Sequence, residues 1–294
     1  MNIEKYLRLT GFLRKGSYPD IKIPSPGEAE DIKAAPSTLF HVDDHCLVLG
    51  DAGFRERGMS LGVFLIMVPV MVAFCVVFSY LMVSVQEYLY SVIFNAFALF
   101  VAHPFILAAW FEITRSSVYP VVFNRKTGKV YFFSDQDGRP RQMPWQECSY
   151  AVAYKGRSIV ACRYELRGFI MSGYRVEDSF SFGDTVYLQR EAPKEGMFYF
   201  LNYIQAFMEH DEDFEKPERL MSWRPSLTES ARHTIPRLVT NNTTVNVLST
   251  VFYRSMCVFF SWQILGHYLI SRYGKIPQWP QEIIDECGEG IILK

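Results

Sequence analysis

Two long uncharged runs constrain this chain more than any other feature. Leu61 to Val85 carries no Asp, Glu, Lys or Arg, and neither does Tyr88 to Phe111. An α-helix needs about 20 apolar residues to cross the hydrocarbon core of a bilayer. Both runs exceed that length, and only Gln86 and Glu87 separate them. A connector so short makes the two helices antiparallel neighbours. The pattern predicts a transmembrane helical hairpin over residues 59–113. The competing reading is a buried hairpin inside a soluble protein. It is disfavoured because the rest of a 294-residue chain is too small to cover two such helices all round.

Lysine and arginine orient such a hairpin. Arg55 and Arg57 precede the first run. Arg115, Arg125, Lys126 and Lys129 follow the second, and the connector has none. Both termini are therefore expected in the cytoplasm. In a bacterium the hairpin would cross the inner membrane as a multi-pass anchor. The N-terminal stretch MNIEKYLRLTGFLRKG is broken by charges and lacks the apolar core of a cleavable signal peptide. The six cysteines (46, 75, 148, 162, 257 and 287) are scattered without a CxxC pair. Clustered, even spacing marks disulfide-rich secreted chains, so reduced thiols are expected here. A net charge of -1 gives no global attraction to nucleic acid. Inside the runs, Asn95 and His103 are polar, and contacts between helices are the expected role for both. Ala98 and Ala102 have the small-xxx-small spacing that permits close helix approach.

The periodicity changes after the second run. Val121, Phe123, Val130 and Phe132 suit one face of a β-hairpin whose turn is Arg125–Gly128. Further strands are expected at 146–154, 158–166, 175–182 and 185–189, with glycine turns between several of them. Met197, Phe200, Leu201, Ile204 and Met208 then form a helical stripe. Short antiparallel strands closed by one amphipathic helix is the element order of pleckstrin-homology-like domains. The acidic stretch EHDEDFEKPE (209–218) and the Pro-containing segment up to residue 243 read as an irregular linker. Residues 244–272 form another helical candidate. Arg254 and His267 leave its apolar part short for a span, so a helix packed on the protein or lying at the membrane surface is favoured over a crossing one.

No stretch carries a recognisable catalytic set. FNRKTGKV has Gly128-Lys129 but lacks the earlier glycine of a phosphate-binding loop, and Val130 replaces the hydroxyl residue that would hold magnesium. A hairpin turn explains it. His41-Val-Asp-Asp-His45-Cys46 groups metal-compatible side chains. A structural zinc site needs four convergent ligands, and no second pair accompanies this one, so a loop or strand end is the favoured reading. No catalytic, cofactor-binding or metal site is assigned. The best candidate surface is basic: Arg125, Lys126, Lys129, Arg139 and Arg141. Near an anionic leaflet each would contribute roughly 1 kcal/mol; the plainer reading is topology control without a ligand. Pro277, Trp279 and Pro280 suit an extended tail docking on the β domain, followed by a short helix ending at Gly288.

The two-run hairpin, FNRKTGKVYFF, the pair Pro144-Trp145 and IPQWPQEIIDEC together resemble a family of uncharacterised two-span bacterial membrane proteins. That family carries a domain of unknown function and is often encoded beside type VI secretion spike and effector genes. The resemblance covers the chain from about Phe40 onward and brings no catalytic residue. It implies a non-enzymatic immunity or accessory protein that binds a secreted effector. The alternative is a membrane-anchored scaffold or regulatory module whose β domain binds lipid head groups or a protein. The expected fold is an α+β integral membrane protein. It divides into an N-terminal cytoplasmic segment (1–58), the hairpin (59–113), a cytoplasmic antiparallel β domain with its closing helix (114–212), a linker (213–243) and a C-terminal helix with a Pro/Trp tail (244–294).

Overall fold

The computed structural model describes residues 38–51, 53–54, 57–114, 118–135, 137–157, 162–172, 175–188, 195–209, 214, 216–217, 220–234 and 261–292. The expectations for residues 1–37, for 244–260 and for Cys257 lie outside them, as does the Cys162 side chain. The chain is a mixed α+β protein that divides into two compact units. The first gathers described residues up to Phe54, those between Val118 and Trp223, and those from Pro277 onward. The second holds those within 55–117 and 224–276.

The first unit is built from two antiparallel sheets. One is a five-stranded meander in chain order: β1 (Leu39–Val42), β2 (Cys46–Leu49), β3 (Val121–Asn124), β4 (Lys129–Phe133) and β5 (Pro140–Pro144). The other has three longer strands: β6 (Cys148–Arg157), β7 (Cys162–Ser172) and β8 (Arg175–Leu188). Ahead of the apolar helices the sequence suggests no more than a loop or strand end at His41–Cys46, yet β1 and β2 lie there, and β2 pairs with β3 from Cys46↔Asn124 to Leu49↔Val121. The helical hairpin thus interrupts one sheet in sequence rather than preceding it, and the β unit begins upstream of residue 58.

Register explains why this sheet reads as nearly continuous apolar sequence. Leu47 faces Phe123 and Phe123 faces Val130, so the three share one face. They pack with Phe180 and Phe182 of the second sheet and with Leu201, Ile204 and Phe207 of α3 (Glu195–Met208). Val48, Val122 and Tyr131 form the opposite row. They pack under Trp279, Ile283, Cys287 and Ile291 of the C-terminal tail. Both faces are covered, so every residue of β2 and β3 is buried. Antiparallel sheets commonly leave one face to water and alternate; this one does not because the tail closes it.

Gly183 is not a turn between two strands. It sits within β8 at φ 73, opposite a register shift between Tyr164 and Leu166. Positive φ carries no Cβ penalty for glycine and is a common mark of a bulge.

In the second unit, α1 (Met59–Ser84) and α2 (Tyr88–Thr114) are long and apolar enough to cross a membrane. They contain Pro69 and Pro104. Gln86, at φ 65, turns the chain between them. Phe78 stacks obliquely on Phe94 with centroids 4.2 Å apart. The start of α1 has no cap from its own flank. Glu112 of α2 supplies one instead, accepting from the Gly58 and Leu61 amides at 2.7 and 2.8 Å. A carboxylate there satisfies orphan donors and complements the helix dipole. Residues 261–273 are helical. Gly266 approaches the α1 backbone so closely that an added Cβ would lie 2.1 Å from Gly58 O. Leu61, Ala109 and Ile270 are buried in one cluster beside it.

The linker expected over 213–243 contains a helix, α4 (Leu227–Thr234). Ser226 and Glu229 exchange hydrogen bonds with each other's amides at 3.2 and 2.7 Å. This is a capping box, a start signal that the prolines at 225 and 236 obscured.

Candidate functional site

The β3–β4 turn is held by Asn124. Its Oδ1 accepts from the Lys126 and Thr127 amides at 3.0 and 3.1 Å, and Gly128 completes the turn at φ 67. A side chain bonding its own turn is the usual reason for Asn at such a place.

The five basic residues do not form one patch. Lys129 pairs with Pro144 across β4–β5, whereas Phe133, the residue before Ser134, pairs with Pro140. Arg125, Lys126 and Lys129 thus sit at one end of the β4–β5 ladder, and Arg139 and Arg141 at or near the other. The four steps between those ends span about 13 Å. Most of the charges also have partners. Arg125 donates to Asp44 O and lies over the Phe207 ring at 5.0 Å. Lys129 pairs with Glu286 at 3.3 Å. Arg141 reaches Asp137 at 3.3 Å and the buried Asp178 at 2.9 Å. Arg139 is 3.9 Å from Asp137 with its side chain 82% exposed, and Lys126 is exposed. Beside the turn, a cleft of about 350 Å³ opens between Thr127–Gly128, Pro144–Gln146 and Met208–Glu209.

The tail residues come together on the sheet. Trp279 is buried, with its ring 4.3 Å from that of Phe133. Pro280 leads into α5 (Gln281–Cys287), and Gly288 ends it at φ 84. Ile283 and Cys287 point into the sheet. Asn124 Nδ2 donates to Glu286 O at 3.2 Å and contacts Cys287 Sγ at 3.4 Å. Tyr131 donates its phenolic proton to Glu286. Burial pushes the Tyr131 phenol above its usual range. The Tyr131 bond holds Glu286 below the usual carboxylate range, helped by Lys129. Asn124 therefore serves two ends at once, fixing the turn with its oxygen and the tail with its nitrogen.

Charge-bearing side chains that sequence reasoning missed gather where the loop after β4 meets β7 and β8, most of them buried. Arg167 of β7 donates to Glu165 at 2.5 and 3.1 Å and to Asp135 at 2.7 Å. Ser179 bonds Asp135 and Arg167, each at 3.1 Å, while Asp178 accepts from Ser134 at 2.7 Å. Burial raises Asp135 to about 6 against the pull of Arg167, with the Glu165 and Asp51 charges adding to the rise. Glu165 and Arg167 alternate with Leu166 and Gly168, and Ser179 and Ser181 with Phe180 and Phe182. That alternation marks a polar strand face, but period two alone cannot separate a solvated face from a buried one.

Within the helical unit, Asn95 Nδ2 donates to Ser79 Oγ of α1 at 2.8 Å and to Ser91 O at 2.8 Å. His103 is exposed on α2, while Ala98 and Ala102 are buried. His41 bonds Asp43 at 3.0 Å, and Asp43 Oδ1 caps the β1–β2 turn through the His45 and Cys46 amides. That short stretch is a turn between strands. Among the described residues no group of three or more His, Cys, Asp or Glu is placed to hold a metal ion.

The model of a family of unknown function, DUF6708, matches residues 97–290, more than half of the chain. The chain belongs to the DUF6708 family. No curated protein and no solved structure matches it. The DUF6708 match begins inside α2 and ends just after α5, so it takes in β3–β8, α3 and the docked tail. Chemically, the geometry of this DUF6708 chain offers a firmly held tail, a largely buried ionic cluster and a cleft beside the β3–β4 turn.

Proposed function

We propose that this is a non-enzymatic protein of the bacterial inner membrane that holds a β-sheet binding module on the cytoplasmic side, as a type VI secretion-associated immunity or accessory protein. The observation that carries the membrane part is the outward surface of α1 and α2. Phe100 is 77% exposed, and Val76, Leu89, Val92 and Leu99 are also bare. Monomers in water rarely leave contiguous apolar patches of that size uncovered. The immunity or accessory role rests on the resemblance to proteins encoded beside spike and effector genes. A binding role agrees with a site region made of docked structural contacts and an open cleft. Two experiments test the proposal. Deleting the gene together with its neighbours should sensitise cells to a sibling strain that delivers the cognate effector, and the full chain purified in detergent should retain the adjacent gene's product. Equal survival and no co-purification would reject the role.

A second reading, a membrane-anchored scaffold binding a lipid head group or a protein, is favoured by the cleft beside the turn. Its lipid version predicts that short-chain phosphatidylglycerol, added to the full chain in neutral nanodiscs, protects the amides of residues 125–129 from exchange. Protection that survives Lys126→Ala and Arg139→Ala unchanged would remove the charged head group from the account.

A further inference from the structure

Two cysteines remote in sequence meet beneath the C-terminal helix. Cys46 opens β2, and its register partner on β3 is Asn124. The Nδ2 of that same Asn124 lies 3.4 Å from Cys287 Sγ. Cys46 and Cys287 are both buried and both unbridged, and they share one cluster with Val48, Val122 and Ile283. Asn124 thus brings the two cysteines together, as the cross-strand partner of one and the side-chain neighbour of the other. Burial alone would explain one inert cysteine in an apolar core. It does not explain two gathered in one cluster at the joint between a sheet and the short helix that closes it.

We propose that Cys46 and Cys287 form a dithiol site that a small disulfide oxidant of the oxidised-glutathione class converts to a disulfide, locking the tail onto the sheet. The step balances as thiol–disulfide exchange. The Cys287 thiolate attacks one sulfur of the oxidant, forming a mixed disulfide and releasing one thiol. The Cys46 thiol then loses its proton, attacks Cys287 Sγ and releases the second. Two protein thiols are oxidised, one disulfide bond of the oxidant is broken, and two small thiols leave. Cys287 suits the attacking role. The neighbouring Cys46 thiol holds it below the usual thiol range against burial, with the 3.4 Å contact from Asn124 assisting, while Cys46 itself is raised. Access needs only the opening of α5, a seven-residue helix followed by Gly288. The lock stands independently of the membrane reading.

The test uses the full chain in detergent. It is incubated with excess oxidised glutathione, its remaining thiols are alkylated, and the digest is mapped by mass spectrometry. One cross-linked species joining the Cys46 and Cys287 peptides is expected, reversed by dithiothreitol and still formed in Cys148→Ser. Proteolysis of the tail should then slow by on the order of tenfold or more, the low end of what a disulfide contributes. Recovery of both peptides as separate thiols, or of Cys287 only as its glutathione adduct, would overturn the proposal. So would an unchanged rate of tail cleavage in the cross-linked form. Mapping the natural sequence keeps the outcome clear of any variant that fails to fold.

Discussion

The two units handle apolar side chains in opposite ways. In the β unit, the chain covers its own apolar residues: Phe123 is 0% exposed beneath the second sheet and α3, and Val122 is equally shut beneath the tail. In α1 and α2, many side chains of the same kind, Phe100 and Leu99 among them, are exposed. The hydrophobic effect scales with the area removed from water. The β unit collects that gain by folding, whereas the outer faces of the helices do not collect it within the described residues. On the membrane reading, equal hydrophobicity marks a core in one region and a solvent preference in the other.

The sharpest way to break this comparison is a matched pair of truncations. Phe123→Ala should cost about 3–5 kcal/mol of stability, as for a buried aromatic leaving a cavity. Phe100→Ala should change it by no more than about 0.5 kcal/mol, as for an exposed site. Denaturant titration of the full chain in detergent, followed by tryptophan fluorescence, reads both. Comparable losses would mean that the outer face of α2 is a protein core after all, and the membrane reading would fall.

A smaller loss tests whether the tail belongs to the covered region. Trp279→Ala removes the ring packed on Phe133 and should weaken tail docking by about 3 kcal/mol. Amide exchange in α5 should quicken on the order of a hundredfold, while β6–β8 amides stay unchanged. Uniform acceleration across the unit would show that the tail is part of the global core rather than a separately opening segment.

How much of this was legible follows from the range over which each feature is encoded. The two helices are written in consecutive residues, so run length and missing charge suffice. The β3–β4 face is equally local: Val121, Phe123, Val130 and Phe132 all lie in the first core cluster. The pairing of β2 with β3 is not local, because the whole hairpin of helices separates the strands in sequence. The basic residues looked like one patch because Arg125 and Arg141 are near in sequence, yet the β4–β5 ladder carries them apart. Asn124 read as a turn residue, and nothing within its own turn announces that its Nδ2 anchors Glu286 and Cys287. The ionic cluster was hidden for the same reason, since its members come from the loop after β4 and from two later strands.

That cluster is a charged part of the covered region, and it gives the comparison a pH dependence. Asp135 has its folded value raised to about 6 from an ordinary 3.8. Between those values the folded state holds more protons than the unfolded one, so stability falls as pH rises through the window. Below about 4 the contribution is complete; above about 6 it is lost. Arg167, Glu165, Ser179 and Asp51 face the group. The Asp135 side chain is 35% exposed, and solvent screening reduces the effect to on the order of 1 kcal/mol. Denaturation midpoints measured across this window should decline with pH in the natural chain and flatten in Asp135→Asn. A slope that survives the substitution would assign the titration to another group.

The smallest effect concerns the uncovered region. Asn95 is a polar tie between the middles of the two helices, through the 2.8 Å bond to Ser79. Hydrogen bonds of this kind between membrane helices average about 0.6 kcal/mol, because the separated helices find other partners in lipid. Asn95→Leu should therefore cost about that much and leave the hairpin formed, as the Phe78–Phe94 contact and the Glu112 cap at the base of α1 remain. Steric trapping or single-molecule unfolding in bicelles can resolve a difference of that size. A loss of several kcal/mol would mean that Asn95 sits in a site shielded from lipid. In that case the apolar groove beside it, lined by Val72, Val76, Ala98 and Ala102 among others, would be packed against protein, and the contrast between the covered and uncovered regions would narrow to the remaining faces of α1 and α2.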